Sequence, residues 1–126
     1  MTAMVCFRAG ENRYAVPVTS TLAVRPALGV VPLPSPQPNV IGVLPGDPIL
    51  SVITPLSATG KHVLVITTPD HDYGLLVDEV TGVHNIDDQH IGPAPLGQDH
   101  RLIAGVTKRA GALLFLADPT AMGALL

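Results

Sequence analysis

The chain is expected to be all-β, built as small barrels, and three observations carry that expectation. Short apolar runs recur with period-two alternation, Gly- and Pro-rich turns separate them at regular intervals, and helical periodicity is almost absent. At 126 residues the chain is long enough for one compact domain with a real core. Hydrophobic residues make up 47% and charged residues 13%, the balance of a folded rather than a disordered chain. Aromatics are only 3%, so Val, Leu, Ile and Ala must build most of that core.

The elements follow in order. Val5, Phe7 and Ala9 alternate with Cys6 and Arg8, Gly10-Glu11-Asn12 turns the chain, and Tyr14, Val16 and Val18 alternate on the way back, which is a hairpin. Pro17 cannot donate to a ladder, so it places that return strand at an edge or starts a bulge. Leu22 to Arg25 forms a third strand, stopped by Pro26. Residues 32–38 carry proline at every second position and read as a stiff extended connector. A role as an SH3 or WW ligand is disfavoured because no basic residues flank it. Val40–Val43 and Ile49–Ile53 form a second hairpin about Pro45-Gly46-Asp47-Pro48. His62–Thr67 is a buried strand, and Asp70-His71-Asp72 turns it into the next one. Val80–Ile86 continues as strand, and Pro93-Ala94-Pro95 is a loop. Leu102–Thr107 and Leu113–Leu116 form a third hairpin with Lys108 to Gly111 at its tip. Asp118-Pro119 has the form of an N-cap with proline at the first helical position, so 120–126 should be a short terminal helix.

Residues 73–80, Tyr-Gly-Leu-Leu-Val-Asp-Glu-Val, make a specific demand. In an extended chain Asp78 falls in phase with Leu76 and Val80, on an aliphatic face where a bare carboxylate is costly. The strand must therefore end or bulge near Asp78, with backbone amides as its partners. An internal echo links Ile-Gly-Val at 41–43 and its return strand with Ile-Ala-Gly-Val at 103–106 and its own. Two related halves, divided near residue 60, are expected within a single domain spanning 1–126.

Several function classes are disfavoured. Net charge is −3, and the seven Lys and Arg are scattered, so there is no basic stripe for nucleic acid. The first residues lack the basic start and apolar core of a signal peptide, and apolar runs such as Leu113–Ala117 are strand-sized, so no membrane insertion and a cytoplasmic location are expected. Cys6 is alone and reads as a buried small hydrophobe. There is no phosphate-binding Gly loop, Cys pair, His-Glu-x-x-His or Gly-x-Ser-x-Gly, and no catalytic residue, metal site or cofactor is assigned. His62, His71, His84, His90 and His100 have no recognised ligand spacing. Asp70-His71-Asp72 is the best local metal candidate and reads better as a turn, and Asp87-Asp88 with His90 reads better as a turn cap than as an acid–base pair. Lys108 and Arg109 are left as a solvated charge pair or a partner contact.

The order of these pieces resembles the CheW family, the adaptors of bacterial chemosensory arrays. Cys6 through Val16 is similar to that family's first hairpin, Val31-Pro32-Leu33-Pro34 through Val43 to its proline connector and Gly-Val strand, and Ile49–Ile53 to the strand that follows. Residues 74–80 resemble its Gly-Leu-Leu-Val-Asp-x-Val element, and 91–95, 103–106 and 113–118 complete the set in order. The resemblance implies two packed, five-stranded, SH3-like β-barrels and no catalysis. It implies two partners, the cytoplasmic tip of a chemoreceptor and the regulatory domain of a CheA-type histidine kinase. Carried over by position, the receptor-facing groove falls at Thr21, Gly42, Val43, Val80 and Val83. The chain departs from the family at the second hairpin, where Leu44-Pro45-Gly46-Asp47-Pro48 replaces the usual Asn-x-Arg-Gly tip. It also has Leu22-Ala23 where the family carries Glu, and only Thr54–Gly60 where a short helix is usual. These departures define the alternative, a diverged interaction module of the same fold in another signalling or motility system.

Overall fold

A computed structural model describes residues 1–35, 37–99 and 101–126, so Pro36 of the proline connector and His100 lie outside the described residues. Ten strands form two five-stranded sheets: β1 (Thr2–Ala9), β2 (Asn12–Pro17), β3 (Thr21–Pro26), β4 (Val40–Leu44), β5 (Leu50–Ile53), β6 (His62–Thr67), β7 (Asp72–Val77), β8 (Glu79–Ile86), β9 (Ile103–Arg109) and β10 (Ala112–Ala117). The first sheet has the order β8-β1-β2-β10-β9 and the second β3-β6-β7-β5-β4. One helix, α1 (Pro119–Gly123), follows β10. The all-β, SH3-like architecture is as the sequence predicts, although neither ladder closes on itself.

The two runs that meet near residue 60 interlock rather than forming one sheet each. Both five-strand runs on either side of it follow one plan. A hairpin (β1–β2, β6–β7) is followed by a strand that changes sheet (β3, β8), a 3₁₀ turn (Ala27–Gly29, Asp88–His90) and a second hairpin (β4–β5, β9–β10). Each sheet takes the first hairpin of one run and the last three strands of the other. Two parallel pairings make the exchange: β10 runs beside β2 at Leu114–Leu116, and β5 beside β7 at Val52 and Ile53. The internal echo is therefore real, while the halves of the sequence are not the layers of the fold.

Alternation in β1 shows where the core sits. Val5, Phe7 and Ala9 enter the main apolar cluster with Tyr14, Val16, Val52, Ile53, Ile66, Leu75 and Val77. Met4 and Cys6 point the other way, into a smaller cluster with Ala15, Ile86, Leu114 and Leu116. Three of the four Phe and Tyr residues meet in the main core, where Phe7 stacks on Tyr14 at 5.7 Å and Tyr14 lies 5.9 Å from Phe115. Such pairs add to simple burial.

The fourth aromatic, Tyr73, holds the helix. Its ring is fully buried and its hydroxyl donates to the Pro119 carbonyl at 2.6 Å. Burial, and after it the charge of Asp118, raise its pKa well above the usual phenol range, so it remains a donor. Asp118 caps α1 by accepting from the amides of Thr120 and Ala121. Tyr73→Phe removes one buried hydrogen bond, so a loss of about 1 kcal/mol in urea unfolding is expected.

Other local readings are settled here. The turn at 70–72 is made by Thr68, whose hydroxyl donates to the His71 carbonyl at 2.8 Å, while the His71 ring nitrogen Nε2 lies 3.1 Å from the Gly123 carbonyl. Asp87 caps the 3₁₀ turn at 88–90 through the Gln89 amide. The third hairpin turns on Ala110-Gly111 alone, both with positive φ, so Lys108 and Arg109 lie in β9 and not at its tip. Two central residues with positive φ match the right-handed twist of the flanking strands.

Candidate partner-binding surface

The crossing from β7 to β8 organises the surface. Val77 ends a strand of the second sheet and Glu79 begins one of the first, so Asp78 is the single residue between the two layers. Its carboxylate accepts from the amides of Gly10 (2.6 Å), Gly60 (2.7 Å) and Thr59 (3.1 Å), and Arg8 stands 3.6 Å away. Burial pushes this carboxyl up, but the Gly10 and Gly60 amides, the Arg8 charge and the Thr59 hydroxyl together hold it below the usual carboxylate range. The awkward acid of the sequence thus ties the first hairpin, the 59–60 loop and the strand crossing together.

The edges of the sheets differ. At β4 the backbone of Val31 pairs in both directions with Val43, at 2.8 Å each way. At β9 Gly92 does the same with Val106, at 2.8 and 2.9 Å. Each bridging residue is followed by Pro-x-Pro, which lacks the amides to extend a ladder. Those two edges are blocked. The other two, β3 and β8, pair on one side only among the described strands. β3 is exposed over almost its whole length, with Leu22 59% and Val24 47% exposed, and on β8 Val83 is 61% exposed. Apolar side chains exposed on the two unblocked edge strands make these the candidate interaction surfaces.

The five positions expected to form a groove lie on three edge strands. Thr21 opens β3 and its hydroxyl donates to the Val18 carbonyl at 2.8 Å. Val80 is half-buried and packs on the main core, while Val83 faces solvent three residues on. Gly42 and Val43 lie in β4, at the opposite end of the second sheet from Thr21. Gly42 is buried, and a Cβ there would sit 2.4 Å from the Val31 carbonyl oxygen, so its lack of a side chain serves the blocked edge. Leu22, Val24, and Leu28 in the turn after β3 were missed as surface candidates. One signal was present: Pro26 ends β3 and cannot donate to a ladder, which suits an edge, whereas Pro17, expected to put its strand at an edge, ends β2, which lies between β1 and β10. Among the described residues no group of three His, Cys, Asp or Glu could hold a metal, and no helix is long and apolar enough to cross a membrane.

The fold defines a class, paired five-stranded SH3-like sheets that exchange strands. The CheW-like domain family matches residues 49–124, more than half of the chain, and the chain belongs to that family. Among solved structures it is similar to the scaffolding protein TtCheW from Thermoanaerobacter tengcongensis, with a TM-score of 0.82 and 20% sequence identity. That match covers 93% of this chain and 84% of the other. No curated protein matches the sequence.

Proposed function

We propose that this chain is a non-catalytic adaptor of bacterial chemosensory signalling, cytoplasmic, joining a chemoreceptor tip to the regulatory domain of a CheA-type histidine kinase. Membership of the CheW-like family carries the reading, and the likeness of its fold to a scaffolding protein supports it. Val83 and Val80 on β8 are the foremost receptor contacts in this reading, with Thr21 on β3 and Gly42 and Val43 on β4 as further candidate positions. An apolar helix face fits small aliphatic side chains of this kind. Co-sedimentation with receptor-tip fragments and with the kinase domain tests the proposal; no binding to either at tens of micromolar, a weak-interface concentration, overturns it. Val83→Asp is expected to weaken receptor-tip binding at least about tenfold, as loss of a central apolar contact does, while thermal unfolding stays close to that of the wild type.

One observation favours the second reading, a diverged module serving another signalling or motility system. The β4–β5 tip carries an acid, Asp47, and no base. Asp47→Arg separates the two: strengthened kinase binding supports the first reading, and no kinase binding by either the wild type or Asp47→Arg supports the second.

A further inference from the structure

The first sheet carries a site that adaptor function does not use. Its end strands, β8 and β9, are four strand spacings apart, about 19 Å in a flat sheet. Yet the Arg109 guanidinium on β9 lies 2.7 Å from His84 Nδ1 on β8. The sheet is therefore curled until its ends meet through side chains rather than through a ladder. Arginine can only donate, so Nδ1 of His84 accepts and the ring proton is on Nε2. The His84 ring folds back over Gly82, where a Cβ would lie 3.3 Å from Nε2.

A cavity of about 230 Å³ opens at this junction. Each strand of the sheet gives it a residue: His84 from β8, Cys6 from β1, Arg13 from β2, Leu114 from β10 and Arg109 from β9. Strand register places all five on one face, since Cys6 pairs with Ala15, Leu114 with Arg13 and Thr107, and Met4 with His84. Cys6 and Leu114 are buried and form the floor, while Arg13 and Arg109 are exposed and form the rim. No carboxylate lines the cavity, and among the described residues neither arginine makes an ion pair. Asp87 lines the neighbouring cleft with Arg109 but lies 3.6 Å from His90. In a chain of net charge −3, two guanidiniums with no carboxylate partner among the described residues and the His84 ring line one small opening.

We propose that this mouth binds a small oxyanion, a phosphate or carboxylate group, held by Arg13, Arg109 and His84 over an apolar floor. Planar guanidiniums suit both groups, and the cavity is smaller than the 300 Å³ or so at which drug-sized pockets begin, so the ligand is small. Burial raises the Cys6 thiol pKa, and the Arg109 charge draws it part of the way down.

The test is a titration of the full chain, followed by backbone amide shifts, with inorganic phosphate in one arm and succinate in another, against chloride at equal ionic strength. Saturable shifts at Cys6, His84 and Arg109 in either arm, absent with chloride, are expected, and the responding arm names the group. Arg13→Gln, at a side chain that makes no hydrogen bond or ion pair among the described residues, should raise the apparent Kd at least roughly tenfold, as loss of a charge-assisted bond does. Arg25→Gln on β3 should leave it unchanged. Linear shifts, equal shifts with chloride, or an unchanged Kd in Arg13→Gln overturn the proposal.

Discussion

Asp78→Ala will lower unfolding free energy by about 3 kcal/mol. Removing the carboxylate leaves the amides of Gly10, Thr59 and Gly60 without their acceptor. Each orphaned donor costs about 1–3 kcal/mol when water cannot replace the partner, and the Asp78 side chain is only 10% exposed. Urea denaturation measures the loss, and a midpoint within error of the wild type would contradict the role assigned to the crossing. Asp78→Asn should fall between, because one side-chain oxygen still accepts while its NH₂ faces a donor. The pH dependence has a definite sign. The folded carboxyl lies below its ordinary value, so its stabilisation is complete above the unfolded pKa of about 3.9 and is lost as pH falls through the folded value. Acid unfolding of Asp78→Asn should therefore be flatter than that of the wild type. Partner binding by any folded fraction should be intact, since the carboxylate serves the backbone.

Gly42→Ala is the second large effect, about 3 kcal/mol of destabilisation. The new methyl would stand 2.4 Å from the Val31 oxygen and 2.9 Å from a Val30 methyl, distances that require the 30–31 segment to move. Its movement breaks the two Val31–Val43 bonds and unblocks the β4 edge. Overpacking alone costs about 1–3 kcal/mol, and the lost bridge adds to it. The denaturation midpoint should drop and self-association should rise, because an open edge is a template for pairing. If Gly42 served only as a partner contact, stability would not change. Gly105 is its counterpart in the other sheet, where a Cβ would lie 2.8 Å from Ile91 and 2.9 Å from the Gly92 oxygen.

Asp78 was legible in the sequence because its problem is local: a carboxylate in phase with Leu76 and Val80 needs donors wherever the fold supplies them. Hairpins and the α1 cap were legible for the same reason. Gly42 was placed in the groove by position within the resemblance; its close approach to Val31, eleven residues away, is a structural role that no local pattern announces. The Lys108–Arg109 placement failed on Ala110, a residue that does not advertise a positive φ. His84 and Arg109 meet across a curled sheet from positions 25 apart, and no spacing rule detects that. The strand exchange was hidden too. Local patterning fixes each hairpin but not the sheet it joins, which is decided by the parallel pairings of β2 with β10 and β5 with β7.

That exchange governs how the chain must be made. β1 is made well before its neighbour β8, which lies some eighty residues later, with Thr2 opposite Ile86. β2 waits still longer for β10. Contacts so distant in sequence slow folding, because the loop must close before the pairing repays it. A nascent chain halted near residue 60 holds β1–β5 with no complete sheet, so cooperative structure requires that β10 has also been made. The same interlock means that neither run of five strands can be released without opening both sheets.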